Sequence, residues 1–224
     1  MQINLKLNGK TIKEEIADDL LLIDFVRKHG CYSVKRGCET ANCGLCTVFL
    51  NGKPVLSCSV LTARANGQEV TTLEGLQPEA EEIGSFLAGQ GAEQCGFCNP
   101  GFMMNAIALF RENQDPTDEE ILEYLSGNLC RCSGYEGQLR AMKKVSRMEK
   151  RKTGGGRMKV VNQPVMKKDA MSLVTGKPVF LDDVVPDNAL VVKVKRRPLC
   201  PCPHRGDQDR HGAEGAGHRG HLYL

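Results

Sequence analysis

Tryptophan is absent from these 224 residues, aromatic side chains make up 5%, and the formal net charge is only +3. So small a charge provides no field for nucleic acid or an anionic membrane surface, and neither is expected as a partner. No run approaches the ~20 apolar residues that cross a bilayer. The start, Met1 to Gly9, has no basic stretch followed by an apolar one, so no secretory signal is read and a cytoplasmic location is expected. Against these shortages stand eleven cysteines. In a reducing compartment, clustered cysteines are expected to ligate metal rather than pair as disulfides.

Eight of the eleven fall into two sets. Cys38-x4-Cys43-x2-Cys46 is closed by Cys58, and Cys95-x2-Cys98 is closed by Cys130-x-Cys132. The first spacing is that of plant-type [2Fe–2S] ferredoxins. Zinc sites favour C-x2-C pairs, so the x4 step argues for iron there. In the second set C-x2-C suits zinc as well as iron, and spacing alone leaves both open. The ferredoxin-like set before it tips the balance to iron. Gly37, Gly44, Gly96 and Gly134 stand by the cysteines, where small residues let backbone N–H groups approach ligand sulfurs. The chain reads as a short electron wire with two different clusters.

Around the first set the sequence predicts an α+β unit over residues 1–76. Asn8-Gly9 and Asn51-Gly52 each separate strand-like runs and predict hairpins, the second delivering Cys58 to the cysteine loop. Ala17 to Lys28 reads as a helix ended by Gly30. Strands and one helix around a cysteine loop make a β-grasp, plant-type ferredoxin-like domain. Residues 77–152 read as a four-helix [2Fe–2S] bundle domain. Its helices are Glu79 to Leu87, a second opening at Pro100, a third started by the Thr117–Glu120 capping box, and Tyr135 to Lys150.

The runs Gln94-Cys95-Gly96-Phe97-Cys98-Asn99-Pro100-Gly101 and Gly127-Asn128-Leu129-Cys130-Arg131-Cys132-Ser133-Gly134-Tyr135 resemble the iron–sulfur portion of the molybdenum hydroxylases. That family includes xanthine dehydrogenase, aldehyde oxidoreductase, and nicotinate and carbon monoxide dehydrogenases. The resemblance spans residues 1 to about 150 and implies two [2Fe–2S] clusters as cofactors. The Cys95/Cys98/Cys130/Cys132 cluster would lie next to a molybdopterin, with Gln94 and Cys132 approaching the pterin's polar edge. The Cys38/Cys43/Cys46/Cys58 cluster would lie nearer the surface and pass electrons to flavin or another acceptor. The implied partners are thus a molybdenum-cofactor-binding large subunit or domain and, beyond it, a FAD subunit. The residues that oxidise substrate, a purine or an aldehyde, belong to the molybdenum part, so no catalytic residue is assigned here. The loop Glu39-Thr40-Ala41-Asn42 and Asn99, where Thr or Ile is common, depart from the family pattern. Cys31 is extra and is read as a buried small residue.

Gly154-Gly155-Gly156 reads as a linker. Val161 to Leu190 resembles the opening of a molybdenum subunit, so residues 153–196 are read as linker and truncated start of that domain. Because they look like the first strands of a larger domain, residues 157–195 are expected to pack poorly alone. Residues 197–224, rich in Gly, His and Arg, are read as disordered or frame-shifted, or else as a metal-binding tail built on Cys200, Cys202, His204 and His211. Two other functions remain open on sequence: a free-standing ferredoxin-like carrier and a zinc-binding interaction module.

Overall fold

The computed structural model describes residues 1–146, 165–184, 190 and 192. Met1–Val184 form one compact unit. Its first part is a five-stranded mixed sheet of order β2-β1-β5-β3-β4, built from β1 (Gln2–Leu7), β2 (Lys10–Glu15), β3 (Thr47–Leu50), β4 (Lys53–Leu56) and β5 (Glu69–Thr71). Asn8 and Gly9 have φ of 49° and 78°, and Asn51 and Gly52 have 49° and 80°. Two successive left-handed residues match the twist of flanking strands, which is why both Asn-Gly pairs close hairpins. In β1 the alternate residues Ile3, Leu5 and Leu7 are buried. They meet Leu22, Ile23, Phe25 and Val26 of α1 (Leu22–Lys28) in one apolar core.

Two expectations change here. The first helix begins at Leu22 rather than Ala17. The Leu20 carbonyl accepts from the Thr62 N–H at 2.8 Å, and the Leu22 N–H donates to Val60 at 2.8 Å. That tertiary ladder claims the backbone groups an earlier helical turn would need. Strand β5 was not legible at all, being three residues with no periodicity, yet it joins β1 in parallel to β3 antiparallel.

The second part consists of α2 (Gln77–Gly89), α3 (Asn99–Glu112), α4 (Asp118–Leu125) and α5 (Glu136–Ser146). Residues 147–150 of the expected last helix lie outside the described residues. The Thr117 hydroxyl accepts from the Glu120 N–H, and the Glu120 carboxylate accepts from the Thr117 N–H, completing the capping box of α4. These helices share a second core containing Leu87, Phe102, Met103, Ile107, Ile121 and Met142. Phe49 of β3 belongs to it, whereas its neighbour Val48 belongs to the sheet–α1 core. Side chains alternate along a strand, so β3 contributes to both cores. Its run Thr-Val-Phe-Leu is continuously apolar after Thr47 for that reason.

Residues 165–184 belong to this unit and differ from expectation. They contain α6 (Ala170–Val174) and a 3-10 turn, Leu181–Asp183, rather than strands. Ala170, Leu173 and Val174 are buried, and Val174 reaches the core of the helical part. Val179, Leu181 and Val184 stay exposed, leaving apolar surface uncovered as expected. Cys200, Cys202, His204 and His211, with the whole 197–224 segment, lie outside the described residues. Among the described residues no helix is long and apolar enough to cross a membrane.

Candidate metal centres

Three left-handed residues, Glu39, Ala41 and Gly44, curl the chain between Cys38 and Cys46. The curl turns the N–H groups of Thr40 and Asn42 onto the Cys38 Sγ, at 3.5 and 3.4 Å. The Thr40 hydroxyl and these two N–H groups pull the Cys38 thiol down to about 6. Thus the unusual Glu39–Asn42 loop supplies two backbone donors to the Cys38 sulfur. Cys43 hydrogen-bonds Cys38, and burial pushes its thiol up. The β3–β4 hairpin pairs Thr47 with Leu56, placing Cys46 beside Ser57 and Cys58. The Ser57 hydroxyl and N–H both donate to the Cys46 carbonyl, at 2.7 and 3.2 Å. Cys46 hydrogen-bonds Cys58, and burial pushes Cys46 up to about 11.

The second quartet is assembled by helix ends. Gly96, at φ 78°, turns the chain between Cys95 and Cys98, and Cys98 stands immediately before α3. Cys130 and Cys132 follow α4, on a loop where Gly134 and Tyr135 take φ of 65° and 69°. The Cys132 Sγ donates to the Cys95 Sγ at 3.7 Å. Cys98 hydrogen-bonds Cys130, and burial pushes Cys98 up to about 12. Burial acts on Cys130 too, but the Ser133 hydroxyl and the N–H groups of Cys132 and Ser133 outweigh it and lower its thiol. Those N–H groups lie 3.4 and 3.3 Å from the Cys130 Sγ. The Tyr135 hydroxyl accepts from the Cys130 N–H at 3.0 Å.

Among the eight sulfurs Cys95 and Cys132 meet directly at 3.7 Å, and Cys38 with Cys43, Cys46 with Cys58, and Cys98 with Cys130 lie close enough to shift one another's thiols. Among the described residues no three His, Cys, Asp or Glu side chains converge as a site for a single metal ion. Pairs are what a [2Fe–2S] rhomb needs, since each iron takes two protein thiolates. Two thiolates about 2.3 Å from one tetrahedral metal stand roughly 3.8 Å apart. The 3.7 Å between Cys95 and Cys132 meets that requirement.

Backbone contacts press the two quartets together. The Leu129 N–H, next to Cys130, donates to the Cys43 carbonyl at 3.0 Å. A Cβ at Gly101 of α3 would sit 2.3 Å from the Gly44 carbonyl oxygen, and one at Gly44 would sit 2.7 Å from that of Gly127. Only glycine permits this approach. At the outer edge, Gln94 Nε2 donates to the Cys132 carbonyl at 2.9 Å, with Cys95 and Cys132 both exposed. Of the eight, Cys95 and Cys132 are the ones exposed in this chain.

Other participants carried little or no signal in the sequence. Asn99 is 1% exposed, with its Oδ1 accepting from the Cys98 Sγ at 3.8 Å and its Nδ2 without a partner. The Asp183 side chain is buried, accepting from Arg27 at 2.8 Å and from Lys35 at 2.6 Å. Burial works against its charge, but hydrogen bonds from Lys35, the Phe180 N–H and Arg27 hold the carboxyl below the usual carboxylate range. The Lys35 ammonium lies over the rings of Phe180 and Phe97, the latter between Cys95 and Cys98. Residues so distant in sequence carry no local signal of such contacts. Cys31 is buried, as expected, and burial pushes its thiol up to about 11.

Residues 5–77 match the model of the 2Fe-2S iron-sulfur cluster binding domain, and residues 72–143 that of the [2Fe-2S] binding domain. The nicotinate dehydrogenase small FeS subunit of Eubacterium barkeri is 43% identical over 136 residues, 59% of this chain and 87% of its own length. A probable xanthine dehydrogenase subunit from Bacillus subtilis is 36% identical over 159 residues, 70% of this chain and 89% of its own. The crystal structure of the aldehyde oxidoreductase from Desulfovibrio desulfuricans superposes with a TM-score of 0.73 at 32% identity, covering 84% of this chain and 22% of that one. With two adjoining cluster-binding domains in this order, on this fold, the chain belongs to the two-cluster iron–sulfur family of the molybdenum hydroxylases, as an oxidoreductase component.

Proposed function

We propose that Cys38/Cys43 and Cys46/Cys58 each grip one iron of a first [2Fe–2S] cluster, and Cys95/Cys132 and Cys98/Cys130 each grip one iron of a second. A [2Fe–2S] cluster supplies one-electron chemistry without a coupled proton. The protein's part is to hold the two sulfur quartets at fixed separation and to set the polarity around each. The Leu129 N–H to Cys43 carbonyl hydrogen bond carries this reading. It joins a ligand of one quartet to the neighbour of a ligand in the other, the short bonded route that electron transfer between them needs.

Gln94 and Cys132 form the edge that faces the molybdopterin of a large subunit or domain. Their exposure and mutual hydrogen bond support that orientation. Electrons then leave from the ferredoxin-like lobe to a flavin-bearing subunit or another acceptor, and the complex works in the cytoplasm, away from membranes. The names of the relatives favour an N-heterocycle, a purine or an aldehyde as substrate of the assembled enzyme. Residues 165–184 are the opening of a molybdenum-binding segment. The aldehyde oxidoreductase match, covering 84% of this chain, supports this.

The test is purification of the tagged full chain from its own cells. Molybdenum and oxidised-pterin fluorescence are expected to co-elute with about four irons per chain. Co-elution lost on Gln94→Ala, with iron retained, would locate the contact. Iron-loaded chain recovered with no molybdenum would contradict the assembly.

A further inference from the structure

We propose that Asn99 donates a hydrogen bond to the Cys98 sulfur in the iron-bound protein and so raises the reduction potential of the helical-lobe cluster. The inference rests on the cluster assignment above. Asn99 is the first residue of α3 and is 1% exposed. Its carboxamide oxygen, not its nitrogen, faces the Cys98 Sγ at 3.8 Å, while its Nδ2 is buried with no partner. Such an orphaned donor is uncommon in a protein interior.

The arrangement suits a thiol and cannot suit a metal-bound sulfur. Iron takes the place of the hydrogen, leaving an electron-rich sulfur that faces an oxygen lone pair. Half a turn about the Cβ–Cγ bond of Asn99 exchanges the oxygen for the amide nitrogen. That torsion is broad and two-fold, so both orientations are accessible. The turn breaks no hydrogen bond other than the one from Cys98, because Nδ2 makes none now. It converts a repulsive contact into an N–H···S bond to a ligand in a water-poor setting, where such bonds are strongest.

Hydrogen bonds to ligand sulfurs set cluster potentials. Reduction adds one electron to the cluster with no proton, and the donor stabilises the more negative state. The Asn99→Leu variant, close in volume but lacking the donor, is expected to make that reduction about tenfold less favourable, which for a one-electron couple is ~59 mV lower. The signal of the ferredoxin-like cluster is expected to keep its potential. Paramagnetic resonance potentiometry of the full chain separates the two. Electron–nuclear double resonance on unmutated chain exchanged into D2O and labelled with 15N-asparagine supplies the second reading. Deuteron and 15N couplings are expected on the helical-lobe signal, and Asn99→Leu is expected to remove them. Asn99→Thr, which restores a hydroxyl donor, is expected to recover part of the potential.

Two intact signals with a change below twofold in Asn99→Leu, or no 15N coupling in the unmutated chain, would overturn the inference. Should Asn99→Leu not retain iron, the unmutated labelled chain decides alone. Failure of the unmutated chain to hold a second cluster would instead overturn the assignment of Cys95, Cys98, Cys130 and Cys132.

Discussion

The two quartets solve one problem by different means. The ferredoxin-like quartet spans Cys38 to Cys58, and three of its members share one curled loop whose N–H groups reach the Cys38 sulfur. The helical quartet spans Cys95 to Cys132, and its pairs meet only because α3 and α4 pack on one core. The loop stabilises charge on sulfur with donors, lowering the Cys38 thiol to about 6. In the helical lobe burial raises the Cys98 thiol to about 12, while Cys95 and Cys132 stay exposed. Local turn geometry is enough to preorganise the first site. The second depends on tertiary packing, with donors gathered at Cys130 and, by our inference, one more at Cys98.

Removing a proposed ligand breaks the comparison most severely. Cys46→Ser and Cys98→Ser are each expected to halve the iron content, with each erasing a different resonance signal. Loss of both signals in either variant would mean that the two sites do not load independently.

Next is Asp183→Ala, which strands the buried charges of Arg27 and Lys35. Removing one partner of a buried pair costs about 3–5 kcal/mol, so chemical denaturation should show a drop of that order. A fall under about 1 kcal/mol would place the trio effectively in solvent. Because the folded carboxyl lies below the ordinary range, its contribution is fully present above the unfolded carboxylate value. It is lost as pH falls through the folded value. The variant is therefore expected to show a flatter acid limb than the unmutated chain.

Gly101→Ala sharpens the comparison at the seam between lobes. Its Cβ would meet the Gly44 carbonyl, which is backbone and cannot rotate away. Overpacking of this kind costs about 1–3 kcal/mol. The spin–spin interaction between reduced clusters is expected to weaken as the lobes separate, and an unchanged interaction would contradict the direct backbone contact. The smallest effect belongs to Thr117→Ala, which removes the α4 capping box for about 1 kcal/mol. It should lower the unfolding midpoint while both cluster signals keep their shape.

Legibility followed the range of the interactions. Asn8-Gly9, Asn51-Gly52 and the Thr117–Glu120 box are local devices, and each stands where the sequence put it. The late start of α1, the short strand β5 and the helix α6 depend on partners far along the chain. Asp183 meets Lys35 across 148 residues, and no window of sequence could reveal that. For the sites, cysteine spacing was legible but pairing was not. Which cysteine faces which required the hairpin register and the α3–α4 packing. Asn99 could be flagged only as an unusual residue beside a ligand. Its orphaned nitrogen needed coordinates.

The most direct measurement is paramagnetic resonance of the dithionite-reduced full chain, with iron counted on the same sample. The account predicts about four irons and two distinct rhombic signals that broaden each other through the Leu129–Cys43 seam. A single signal with about two irons, or two signals with no mutual broadening, would contradict it.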